Sequence, residues 1–182
     1  MKALFLTLVF GLVTALQAQD PLSFALDGPD NTETWFVKAM VMNKSLPKEK
    51  RPKEMPPLTV EALDGGDLEL SFTFMKKGHC HERRMVMQRM AEPGVYSISG
   101  DRYCMKVEQL PVEGHYIMYY EDRRRRELFH VGKLMGRNLD INPEALEAFQ
   151  RFIQRKGWSP EDIFMPGQMN ELSRESESGG GR

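Results

Sequence analysis

His79-Cys80-His81 places three metal-ligating side-chain types in consecutive positions. On an extended segment, alternate side chains leave opposite faces, so the two imidazoles point one way and the thiol the other. Three ligands do not converge, and no metal site is expected. Cys80 and Cys104 are the only thiols in the chain. Arg123-Arg124-Arg125-Arg126 lies between Asp122 and Glu127, which reads as a solvated hairpin tip, with anionic-surface binding as the weaker reading. Asn43-Lys44-Ser45 is a glycosylation sequon and has meaning only on a secretory route. Lys133 alternates onto one face with Phe129, Val131 and Met135, an awkward setting for an ammonium unless an anion, hydroxyls or water meet it. Its bland alternative is a lysine that snorkels to solvent. No nucleophile-elbow, zinc-protease or P-loop pattern occurs. The residues point to holding a molecule rather than transforming it, with no cofactor and no enzymatic step.

Positioning such a lysine requires a folded wall, and the composition supplies one. The 182 residues are 41% hydrophobic and 28% charged, the make-up of one globular domain. Lys plus Arg total 25 against 26 for Asp plus Glu, which argues against a nucleic-acid partner. Thirteen Met residues suit either an ordinary core or a pliant cavity. Residues 1–18 read as a secretory signal: Lys2, a short apolar run, then Ala18 before Gln19-Asp20. No later run reaches the length of a membrane span, so the remaining protein is expected to be extracellular. From Trp35 to Met135 the pattern is that of about eight short strands, clearest in the hairpin Leu58–Phe74 around Asp64-Gly65-Gly66-Asp67. Such a series closes into a barrel with room for one small ligand, or packs as an open sandwich. After it, Asn142 caps, Pro143 starts and Gly157 stops one helix whose apolar stripe (Leu146, Phe149, Phe152, Ile153) should lie on the outside of the sheet. Residues 171–182 lack any apolar side chain beyond Leu172 and read as a disordered tail.

These features in this order, with Trp35-Phe36-Val37-Lys38-Ala39-Met40, Glu92-Pro93-Gly94, His115-Tyr116-Ile117 and Lys133-Leu134-Met135-Gly136-Arg137, resemble the lipocalin family and, within it, the tear lipocalin and odorant-binding protein 2 branch. The resemblance implies an all-β fold, an eight-stranded antiparallel up-and-down barrel with one C-terminal α-helix packed outside, over residues 19–170. Glu33 stands where the family's signature has glycine two residues before the tryptophan, and Gly114-His115-Tyr116 replaces the usual Thr-Asp-Tyr. Related carriers tie the cysteine matching Cys80 to one in the C-terminal tail, which here has none. If the strands run as read, Cys80 and Cys104 face outward near one end with Cα atoms roughly 10 Å apart, beyond disulfide reach. Two free thiols are expected, with pairing open if loops distort.

The resemblance also sets the inward face, because the family's tryptophan at Trp35 points into the barrel floor. Alternation from it selects Val37, Ala39, Leu58, Val60, Leu70, Phe72, Phe74, Met85, Met87, Met105, Val107, Tyr116, Met118 and Tyr120 as ligand-binding positions, with Lys133 as polar anchor. A solid core is the alternative. The matching arginine of the family stacks on the tryptophan, which gives Arg137 and Trp35 structural roles. The function implied is non-covalent carriage of small hydrophobic molecules such as odorants, fatty acids or aldehydes, by a monomer or weak dimer. The rivals are a secreted interaction protein with a receptor or protease partner, and a lipocalin-type isomerase that would need a thiol inside the cavity.

Overall fold

The computed structural model describes residues 32–42, 47–100, 102–122 and 130–169. The sequon at Asn43, the arginine run 123–126, Phe129, the signal segment and the tail 171–182 lie outside them. Ten strands and one helix are present among the described residues: β1 (Thr32–Met42), β2 (Glu54–Met55), β3 (Leu58–Ala62), β4 (Leu68–Lys76), β5 (His79–Arg89), β6 (Val95–Ile98), β7 (Tyr103–Gln109), β8 (His115–Asp122), β9 (His130–Gly136), α1 (Pro143–Arg155) and β10 (Gly167–Gln168). Eight of them close into an antiparallel barrel in the order β1-β3-β4-β5-β6-β7-β8-β9. Closure, rather than an open sandwich, removes the sheet edges at its two seams, β1 with β9 and β1 with β3.

The helix begins where its sequence signals place it. Asn142 Oδ1 accepts from the Ala145 N–H at 3.1 Å, and Gly157, with φ of 78°, ends the run. Ala145, Ala148, Phe149, Phe152 and Ile153 are buried against the outer face of β1, β8 and β9. Gly132 makes that seat possible: a Cβ there would lie 3.2 Å from Val41 and 3.3 Å from Ile153.

β1 departs from simple alternation. Val37 is opposite Met135, but Ala39, two residues on, is opposite Leu134, so Lys38 is an extra residue in a β-bulge. The phase of every later side chain on the strand therefore reverses. Ala39 does not face the interior as strict alternation predicts; it is fully buried under α1 with Val41 and Leu134, and Met40 takes the inward place. The bulge is held from far along the chain. Gln168 Nε2 donates to the Val37 carbonyl at 2.7 Å, and Met40 exchanges two backbone hydrogen bonds with Phe164 at 2.8 and 2.9 Å.

Both cysteines are free, Cys80 exposed and Cys104 buried. Their separation is larger than strand counting suggests. Through Ser97, Cys104 is level with Gln88, eight residues along β5 from Cys80, which at 3.3 Å per residue is about 26 Å. The reason is that β4 pairs with β5 along all of its own length, from Leu68 to Lys76, whereas β6 covers β5 only from Met87 to Arg89.

Candidate ligand-binding site

The interior divides into a packed floor and an open upper half. At the floor Trp35 is fully buried, Tyr116 meets it edge-on at 4.6 Å between ring centroids, and the Arg137 guanidinium lies 5.4 Å over the indole. Glu33, where the family's glycine was expected, does not disturb this closure. Its Oε1 pairs with Arg137 Nη2 at 2.9 Å and fixes the guanidinium over the ring. Desolvation holds the Glu33 carboxyl above its ordinary range, although Arg137 works the other way. Val37, Leu58, Val60, Leu70, Met87, Met105, Val107 and Met118 pack into the same cluster, joined by Met40, Tyr96 and Ile98.

Above them is a cavity of about 620 Å³, lined by Phe72, Met85, Tyr120, Val131 and Lys133 together with Arg83, Arg84, Ile98, Ser99, Tyr103 and Asp122. Its volume is that of a site for one small organic molecule. Of the positions chosen by alternation, Phe72, Met85, Tyr120 and Lys133 line it directly. Phe74 is one rung further out, 5.9 Å from the Phe72 ring and stacked on His81. Alternation could also have found Arg83, since it shares the inward phase with Met85 and Met87, but its charge disguised it. Ile98, Ser99 and Tyr103 come from the short β6–β7 hairpin, whose contribution depends on how far β6 reaches.

Lys133 is opposite Met40 on one side and Met118 on the other, both in the packed cluster, and itself lines the cavity. Its Nζ lies over the Tyr120 ring, 5.1 Å from the centroid. The side chain is half-buried, because the cavity it enters admits solvent. Loss of hydration brings its pKa down from 10.5 to about 8, and the same cause raises that of Tyr120. Lys133 makes no ion pair among the described residues, and a cation so placed in a partly apolar cavity attracts an anionic or strongly dipolar ligand group. Among the described residues no group of three or more His, Cys, Asp or Glu is arranged to hold a metal ion, and no helix is long and apolar enough to cross a membrane.

A closed eight-stranded barrel, an external helix and a Trp–Arg floor form one architecture, and the model of the lipocalin / cytosolic fatty-acid binding protein family matches residues 32–170. The chain belongs to that family. It is 42% identical to odorant-binding protein 2a of Mus musculus over 168 residues, covering 91% of this chain and 94% of the relative. Von Ebner gland protein 2 of Rattus norvegicus is 38% identical, with 92% of this chain and 95% of the relative covered. Lipocalin-1 of Sus scrofa is 35% identical over 95% of this chain and 97% of its own length. The tear lipocalin and odorant-binding branch is thereby the part of the lipocalin family to which the chain is similar. A solved structure of the siderocalin Ex-FABP shares the fold, with a TM-score of 0.65, 14% identity, and coverage of 78% of this chain and 97% of that one.

Proposed function

We infer that this lipocalin is a secreted, non-enzymatic carrier that holds one small hydrophobic molecule non-covalently, with Lys133 receiving the ligand's carboxylate or aldehyde oxygen. The observation that carries this reading is the unpaired Lys133 ammonium inside the cavity of about 620 Å³. Apolar walls provide affinity at ~25 cal/mol per Å², so each ~100 Å² of ligand surface withdrawn from water strengthens binding by a factor of roughly 70. The ammonium provides selectivity, because an acceptor oxygen replaces the hydration Lys133 lacks. Val37, Leu58, Val60, Leu70, Met87, Met105, Val107, Tyr116 and Met118 support the walls and floor, and Phe74 lies towards the entrance. The name of odorant-binding protein 2a speaks for volatile ligands. The first eighteen residues are read as a cleaved signal, residues 19–170 as the carrier domain and 171–182 as a tail.

The test is to purify the protein natively from a secreting cell, extract it into organic solvent and identify what it carries by mass spectrometry. A fatty acid or an oxygenated volatile in near-stoichiometric amount supports the reading. Repeated preparations that carry nothing, and that fail to take up a fluorescent fatty-acid probe, refute it.

A further inference from the structure

Near-zero net charge conceals a segregation produced by the topology. The strands run alternately between the Trp35 floor and the opposite, cavity end, so every second connection falls at the same end. Floor connections carry more acid than base: Asp64 and Asp67 between β3 and β4, Glu92 between β5 and β6, Glu113 between β7 and β8, and Asp140 after β9, against Arg137, which is paired with Glu33. At the cavity end the described cations dominate: Lys76 and Lys77 on the β4–β5 turn, Arg83 on the cavity rim and Arg102 beside Tyr103. Acids there include Glu121, which lies 3.7 Å from His130, and Glu49 in the β1–β3 connection. Glu82 is bound to Arg84 at 3.0 Å, and Asp122 is buried in the cavity wall. Lys76, Lys77 and Arg83 are exposed and make no ion pair among the described residues.

The β4–β5 hairpin stands above its neighbours, since β6 pairs with β5 only at Met87, Gln88 and Arg89. Its tip is held by Lys77 and Gly78, with φ of 53° and 75°. A lysine occupies a left-handed position that glycine or asparagine would adopt at less cost, which retains a charge at the extremity of the hairpin. Along the inner side of this hairpin Phe74 and Phe72 lead from the tip to the cavity.

We propose that the open end of the barrel docks on the surface of anionic phospholipid bilayers, with the Lys76–Lys77 tip as its contact. A cationic rim around an apolar entrance matches a surface of negative headgroups over hydrocarbon, the combination that attracts peripheral basic segments. A soluble polyanion would be met by the lysines but would leave the Phe72–Phe74 track without a role. Docking mouth-down delivers a lipid-dissolved ligand past Arg83 to Lys133 without passage through water. This last point rests on the carrier reading; the docking itself does not.

Sedimentation of the ligand-free mature protein with phosphatidylcholine vesicles, with and without phosphatidylserine, tests the proposal. Binding is expected to vesicles containing phosphatidylserine, to vanish in high salt, and to weaken roughly 25-fold in Lys76→Gln/Lys77→Gln, ~5-fold for each lysine. Lys106→Gln, which removes a cation near the floor, should bind as the parent does. Uptake of a fluorescent fatty-acid probe in solution, measured on the same proteins, shows that they are folded and reports on the carrier reading separately. Vesicle binding unaffected by the double substitution, absence of vesicle binding, or retention on heparin without vesicle binding would each overturn the proposal. The heparin result would assign the patch to acidic polysaccharide.

Discussion

Replacing Lys133 with Met separates charge from volume in the cavity, because the unbranched stem is kept and the ammonium removed. In the ligand-free protein the Lys133 pKa falls from 10.5 to about 8. The folded state thus holds this proton more weakly than the unfolded chain does. Unfolding takes up a proton between those two pH values, so stability rises with pH across the window, and the full penalty is present below about pH 8. The shift corresponds to at most about 3 kcal/mol, and solvent in the cavity reduces it. At about pH 7, Lys133→Met should therefore unfold at higher urea, by the equivalent of roughly 1 to 2 kcal/mol, and should show a flatter rise towards pH 10. Part of the rise persists because Lys38, desolvated in the bulge with only Asp140 opposing the effect, also has a lowered pKa. Ligand binding should move the other way. Loss of a charge-assisted hydrogen bond weakens a carboxylate ligand by ~1.5 to 3 kcal/mol, roughly tenfold to a hundredfold, and an aldehyde by less. An alkane of the same shape should bind the variant at least as well. In the parent protein alone, carboxylate affinity should decline as pH rises past about 8. Probe displacement with matched acid, aldehyde and alkane, together with urea melts across the pH range, reads all of this. Equal affinity changes for the three ligands, with unchanged stability at every pH, would refute the placement of the ammonium in the cavity.

The bulge makes opposite forecasts for adjacent residues: Ala39→Leu should overpack the seat of α1 and cost ~1 to 3 kcal/mol in urea melts with little change in probe affinity, whereas Met40→Ala should alter probe affinity. Without reductant, one thiol should react with an aromatic disulfide reagent in the native protein and two after unfolding, since Cys80 is exposed and Cys104 buried; a Cys80–Cys104 peptide in a digest would contradict the register. At the floor, Arg137→Met should destabilise by ~1 to 2 kcal/mol by removing the contact over Trp35 and stranding Glu33, and by clearly less in a Glu33→Gln background. Additive effects in that double-mutant cycle would show that the two side chains act independently.

Local chemistry determined much of this protein before any tertiary contact was considered. Turn residues and period-two alternation marked the β4 to β9 strands, since Asp-Gly-Gly, Pro-Gly and Ser-Gly clusters fall between the alternating runs. Asn142, Pro143 and Gly157 bounded α1 because caps act within a few residues of the helix they end. Lys133 could be placed inward because β9 advances one residue per rung against both neighbours from Val131 to Met135. Ala39 could not, because the bulge at Lys38 depends on Gln168 and Phe164, more than a hundred residues away. Once a strand gains one residue, every later side chain changes face, and no local pattern announces it. The same holds for the 26 Å scale between the thiols, set by the length of β4–β5 pairing relative to β6, and for the division between packed floor and open cavity. Charge segregation is the last of these tertiary decisions. Acidic and basic turns alternate along a chain of nearly zero net charge, and only the up-and-down closure gathers them at opposite ends.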